Sequence, residues 1–192
     1  MKKQLGAVSL VYPIPMVLVG ADVEGRANFA TVGDCCVVGL RPALVAISLG
    51  ETHHTTRGVE ERRAFSLNFP SRDLLSLTDY CGMVSGRDVD KEALFPVIRG
   101  ELGVPMIESC PVTIECRVAE SVAIAHRRLF VAEVVQTHID EDLISYKEGK
   151  AVLPDLCRLD PIIYALDNRY YAIGKSIGVG YHEGKQHVED AG

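Results

Sequence analysis

A chain of 192 residues, 47% hydrophobic and 24% charged, has material for one domain with a sizeable core and the composition of ordinary globular protein. Its formal charge of −6, with no basic run longer than Arg62-Arg63 or Arg127-Arg128, argues against non-specific binding to nucleic acid or anionic membranes. No stretch is apolar for long enough to span a bilayer; the best, Ile14 to Ala21, is strand-sized.

The N-terminal Met1-Lys2-Lys3-Gln4 lacks an apolar core and a cleavage site, so no signal peptide is expected. Six cysteines, at 35, 36, 81, 110, 116 and 157, form no Cys-x-x-Cys pair. The adjacent Cys35 and Cys36 neither bridge easily to each other nor share a tetrahedral metal. They read as reduced thiols of a cytoplasmic protein.

Taken in order, Ala7 to Tyr12 and Pro15 to Val23 read as strands, with Pro13 and Pro15 marking the break between them. Asp22-Val23-Glu24-Gly25-Arg26 is turn-like, so Met16–Ala21 should pair with Asn28–Val38 as a hairpin. The second arm is β-forming but broken at Gly33, which suggests a bulge or a close backbone approach. After the turn at Arg41-Pro42, the continuous apolar run Ala43 to Leu49 predicts a buried strand. The polar loop Gly50-Glu51-Thr52-His53-His54-Thr55-Thr56 then leads into a short helix from Thr55 to Arg63.

Ala64 to Phe69 alternates with a period of two and predicts a strand. Pro70-Ser71-Arg72-Asp73 announces a helix with Ser71 as N-cap, ending near Cys81-Gly82. Gly82 to Glu108 reads as irregular, and so long a loop is more often functional than idle. Val112 to Val118 alternates cleanly, with Val112, Ile114, Cys116 and Val118 expected inward and Thr113, Glu115 and Arg117 outward. Leu129 to Ile139 predicts its hairpin partner, with a bulge at Val134-Val135. Two short strands, Ile162–Ala165 and Tyr170–Ile173, close the chain. Many strands at turn-punctuated intervals with few short helices predict an antiparallel β-barrel. Nothing looks like a linker, so one domain, 1–192 with a core of about 5–175, is expected.

Two stretches carry the candidate chemistry. Hydroxyls at Thr52, Thr55 and Thr56, the helix N–H groups and the imidazoles of His53 and His54 suit a phosphate dianion; Arg57 is a further candidate cation. The broken strand Asn28 to Cys36 suits the flat ring of the same ligand. Cys35 and Cys36 have no evident neighbouring base and read as small buried hydrophobes. Asp88 to Glu92 is no calcium loop, since Ala93 and Arg99 stand where Gly and Glu are required.

The set Pro13-x-Pro15-x-Val17-Leu18-Val19, Asn28-Phe29-x-Thr31-Val32, Val45-x-Ile47-Ser48-Leu49 and Phe65-x-x-Asn68-x-Pro70-Ser71 resembles the flavin reductase-like family with the FMN-binding split barrel. Asp79-Tyr80-Cys81-Gly82-x-x-Ser85-Gly86-Arg87-Asp88-Val89-Asp90-Lys91 and Glu108-x-Cys110-Pro111-Val112-x-x-Glu115-Cys116 resemble its flavoredoxin branch. The resemblance implies a mainly β fold, a six-stranded antiparallel split β-barrel with short flanking helices, forming a homodimer that holds one FMN per protomer. It implies cofactor contacts from Asn28, Ala30, Thr31, Val32, Gly33, Asp34, Cys35 and Cys36 along the ring. Further contacts come from Ser48, Leu49, Gly50, Thr52, His53, His54 and Thr55 around the phosphate, from Asn68, and from Ser85, Gly86, Arg87 and Lys91 on a closing loop. The implied function is an NAD(P)H-dependent flavin oxidoreductase; the alternative is a flavoredoxin-like carrier reduced by a redox protein. The chain departs from many relatives in lacking any Trp, and in placing Asp34, Cys35 and Cys36 in that neighbourhood. It also offers Glu51, His53 and His54 where relatives often keep Lys or Arg.

Overall fold

Apolar alternation and turn chemistry decide most of the backbone. The structure, a computed structural model, describes residues 1–185 and residue 187. After an exposed N-terminal segment come β1 (Ile14–Pro15), β2 (Val17–Val23), β3 (Arg26–Val32), β4 (Cys35–Leu40) and β5 (Ala43–Gly50). Then follow α1 (His54–Arg62), β6 (Ala64–Phe69), a 3-10 turn and α2 (Leu75–Met83). A small hairpin of β7 (Val97–Arg99) and β8 (Pro105–Ile107) precedes the long strands β9 (Val112–Ile124) and β10 (Arg127–Ile139). The remainder is β11 (Ser145–Lys147), β12 (Lys150–Val152), α3 (Leu156–Leu159), β13 (Ile163–Ala165) and β14 (Arg169–Tyr171).

The main sheet has seven strands in the order β3-β2-β6-β9-β10-β5-β4. All its pairings are antiparallel. Its two edges, β3 and β4, are consecutive pieces of chain separated only by Gly33 and Asp34. The sheet therefore curls until its edges meet without a ladder between them, which is a split barrel. Counting the ribbon from 26 to 40 once recovers the expected six strands. Gly33 is not a bulge: it sits where the ribbon changes partners, and a Cβ there would lie 2.7 Å from the Ile14 side chain.

The barrel interior is filled by Val17, Val19, Ile47, Leu49, Phe65, Leu67, Cys116 and Phe130, each contributing about 1.5–3 kcal/mol for a large aliphatic or aromatic group. A second cluster on the outer face of β2–β3 joins Leu18 and Phe29 to Cys81, Phe95, Ile107 and Cys110; Phe29 meets Phe95 edge-on at 5.5 Å. This cluster seats α2 and the segment 84–107 against the barrel.

Four expectations need correction. Ala7–Tyr12 is not a strand: it forms no ladder, and Val8, Leu10, Val11 and Tyr12 are exposed. Thr113 and Glu115 do not face solvent; both are buried, because the β7–β8 hairpin and the loop between its strands cover that face of β9. The segment 82–108 contains a 3-10 turn and that hairpin. Ser71 stands at the start of the 3-10 turn but makes no side-chain cap. The bulge near Val135 is present as a register shift between Val134 and Gln136.

Candidate functional site

The tight β2–β3 turn, with Glu24 and Gly25 at positive φ, sets β3 beside the N-terminal end of α1. Asn28, 4% exposed, donates from Nδ2 to Thr55 Oγ1 at 2.7 Å, and Thr55 is 2% exposed. A hydroxyl that accepts there keeps its own proton for another acceptor. Thr55 is thus a donor aimed away from Asn28 rather than a cap. The residue at the cap position is His53, which makes no side-chain capping bond. Thr56 spends its hydroxyl on the Gly50 carbonyl at 2.7 Å, so it holds the loop and offers nothing to a ligand.

Opposite this wall, α2 ends at Met83 and the chain turns back through Ser85 to Lys91. Ser85 starts that turn by accepting from Asp88 and Val89 N–H groups. Between the two walls lies a cleft of about 320 Å³ lined by Ala30, Thr31, Thr52, His53, His54 and Thr55 on one side, and by Ser85, Gly86, Arg87 and Lys91 on the other. Cys81, Gly82, Met83 and Val84 complete it. Thr31 donates its hydroxyl to the Thr78 carbonyl, tying β3 to α2. Lys91 is 4% exposed and donates to the Cys81 carbonyl at 2.7 Å. Gly86 passes so close to Asn28 that a Cβ would fall 1.9 Å from its Oδ1, so only glycine allows this loop to seat.

The electrostatics are one-sided. Burial pushes the His53 imidazole below its ordinary value, and the positive charges of Arg127, Lys91 and Arg87 push it further. His54 is lowered in the same way, by burial and then Arg87, with Glu24 opposing. Lys91 is lowered by burial, and among the described residues it forms no ion pair with a carboxylate. Several cations therefore converge on a space with no acidic side chain among the described residues that line it, the condition in which an anion is attracted.

Of the residues expected in the site, Ala30, Thr31, Thr52, His53, His54, Thr55, Ser85, Gly86, Arg87 and Lys91 share the cleft. Asn28 borders it from an adjoining chamber. Val32 and Leu49 point into the barrel core. Gly33, Asp34, Cys35 and Cys36 lead the chain away on to β4; Cys35 packs against the core as expected, but Cys36 is exposed rather than buried, because it lies on the opposite face of edge strand β4. Burial pushes the Cys35 thiol up to about 11. Ser48 and Gly50 sit at the rim: Arg127 donates to Ser48 Oγ at 2.7 Å and to its carbonyl at 2.6 Å, and also to Asp34. Asn68 is inside the fold, with its amide bonded to the Leu18 carbonyl, Ser66 Oγ and the Ile107 N–H. Arg57 pairs with Glu24 and Glu61 on the surface. Sequence reasoning passed over Arg127, noted only as half of a short basic pair, and the end of α2. Only the pairing of β10 with β5, which sets Arg127 opposite Gly50, reveals the former.

Residues 9–164 match the family model described as flavin reductase like domain. Among solved structures, the chain is similar to the flavoredoxin from Methanosarcina acetivorans, with 34% identity, a TM-score of 0.88, and coverage of 97% of this chain and 98% of that one. It is similar to the flavoredoxin of Desulfovibrio vulgaris (Miyazaki F) at 31% identity and a TM-score of 0.87, over 96% and 100% of the two chains. An FMN-binding protein from Thermus thermophilus follows at 25% identity and a TM-score of 0.78, over 93% and 97%. With barrel, cleft and most of its length accounted for, this chain belongs to the flavin reductase-like domain family.

Proposed function

We propose that this protein binds FMN in the cleft and transfers electrons through it as an NAD(P)H-dependent flavin oxidoreductase. The observation that carries the reading is Lys91, a buried amine bonded to one backbone carbonyl and with no carboxylate partner among the described residues. A buried cation of this kind calls for an anion. A phosphate there meets two remaining Lys91 protons, the Thr55 hydroxyl and the two histidines. The residues present therefore fit a flavin mononucleotide. The isoalloxazine ring supplies hydride acceptance and one- or two-electron release when FMN is bound. The protein's own part is to hold the phosphate with Thr55, His53, His54, Arg87 and Lys91, to place the ring against Ala30 and Thr31, and to cover it with the 85–91 loop. A homodimer is part of this proposal, supported by exposed Val37, Val38 and Leu40 on the edge strand β4.

Likeness to two flavoredoxins favours a second reading, an electron carrier reduced by a protein partner without a nicotinamide site. Anaerobic addition of NADH and of NADPH to the FMN-loaded protein, followed at the flavin absorbance near ~450 nm, separates the two. Bleaching within seconds by either nucleotide is the expected result. Failure to bleach, with rapid reduction by a ferredoxin-type donor, selects the carrier. A protein that takes up no FMN ends both readings.

A further inference from the structure

Lys91 is flanked in sequence by two acids, and each reaches back to the start of β3. Asp90 pairs with Arg26 at 3.4 Å, but both side chains are exposed, and such a pair contributes little. Glu92 is different. Its Oε2 accepts from the Ala27 backbone N–H at 3.0 Å. β3 has a ladder partner on one side only, so an N–H on its outer edge has no strand to receive it, and Ala27 is 3% exposed. A carboxylate there satisfies a buried donor that the sheet leaves open. Among the described residues this is the only hydrogen bond that ties residues 84–92 to the backbone of β3.

The chain on either side of this bond is held in other ways. Downstream, Leu94 and Phe95 pack into the second core cluster, Phe95 edge-on to Phe29. Upstream, the loop closes on itself through Ser85, and Lys91 reaches the Cys81 carbonyl. Asp90 Oδ1 accepts from the Glu92 N–H at 3.1 Å, so position 92 belongs to the same turn that aims Lys91. Loss of the Glu92 carboxylate therefore loosens one wall of the cleft without unseating the core beneath it. We propose that Glu92 is a positioning residue. Through the Ala27 N–H it clips the 85–91 loop to the free edge of β3, keeps Lys91 over the cleft, and so limits how fast a bound flavin phosphate leaves. The proposal rests on the reading that the cleft holds FMN; Glu92 itself stands outside the cleft lining.

Flavin fluorescence tests it, after dilution of FMN-loaded protein for release and after mixing FMN with FMN-free protein for association. Glu92→Ala is expected to release FMN about tenfold faster, with association within about twofold of the parent. Glu92→Gln keeps both the reach and an acceptor oxygen, and should release within about threefold of the parent. Glu92→Asp keeps the charge but falls one methylene short, and should release like Glu92→Ala. His138→Ala, which loosens the loop between β7 and β8 instead, should leave release unchanged. Release from Glu92→Ala within about twofold of the parent overturns the proposal. So does an effect carried by association, or an equal acceleration in His138→Ala. If Glu92→Ala does not fold, the other two variants decide: Gln slow and Asp fast supports the proposal, and Gln as fast as Asp overturns it. A parent protein that takes up no FMN is a different failure, which removes the flavin reading and this one with it.

Discussion

Replacing Glu115 by Gln tests whether the covered face of β9 holds down the segment that roofs the second core cluster. Glu115 is fully buried; Oε1 accepts from the Glu101 N–H at 3.0 Å and meets His138 Nε2 at 2.9 Å, while Oε2 accepts from the Leu102 N–H at 2.6 Å. A carboxamide has only one acceptor oxygen, so in either orientation its NH2 group faces one of those two backbone donors. An orphaned buried donor costs about 1–3 kcal/mol and a lost bond to a charged acceptor about 1.5–3 kcal/mol. Relief of carboxylate desolvation offsets part of this, leaving about 2–4 kcal/mol, or about 4–16 °C in Tm for a chain of this size. His138→Ala removes a single bond from a partly exposed ring and is expected to cost only about 1 kcal/mol. Urea unfolding of FMN-free protein, with unchanged m-values, is the assay. Burial alone would raise the Glu115 carboxyl, but the His138 bond and the Leu102 and Glu101 N–H groups outweigh it and hold it below its ordinary value. Its stabilisation is therefore present above the ordinary carboxylate range and lost as pH falls through the lowered folded value. The deficit of the Gln variant should shrink in acid. A variant as stable as the parent, or a deficit that grows as pH falls, would refute the reasoning.

Other outcomes follow from the cleft. His53 and His54 are held low by burial and neighbouring cations, and a phosphate reverses that field. FMN binding should take up protons and tighten as pH falls from about 8 to about 6.5, read by calorimetry in buffers of different ionisation heat. The same lowered values mean that FMN-free protein loses stability as pH drops below about 6.5, where the unfolded chain binds more protons. Gly86→Ala cannot seat the loop against Asn28; FMN affinity should fall by about tenfold or more with little change in Tm. Thr55→Val leaves Asn28 Nδ2 without its acceptor, so it should cost about 1–3 kcal/mol of stability and also weaken FMN retention measured by fluorescence.

The fold was legible wherever one physical pattern ruled. The β2–β3 hairpin followed from the Asp22–Arg26 turn, and β5 and β6 from an unbroken apolar run and a period-two alternation. The outward placement of Thr113 and Glu115 failed because alternation identifies two faces without saying that one is dry. Polar side chains are buried on the outer face of β9 because the preceding hairpin and its loop supply their partners. In the N-terminal segment, apolar residues from Ala7 to Tyr12 mimicked a strand, but no neighbouring edge receives them. For the cleft, the turn at residues 52–55 and the 85–91 loop were readable as candidates, since helix starts and glycine-rich turns are local signals. Arg127 was not, because its relation to Ser48 and His53 exists only through strand pairing across much of the chain. Asn68 was misplaced for the complementary reason: a buried amide satisfied by backbone looks the same in sequence as one kept for a ligand.

The two-residue hop at Gly33-Asp34 governs the girth of the molecule. Because it joins the first and last staves of one curled sheet, and the Ser48 N–H donates to the Asp34 carbonyl, lengthening it is expected to let the staves part. Shortening it cinches them together. Insertions and deletions at this hinge therefore act on the packing of a filled barrel core rather than on the cleft beside it.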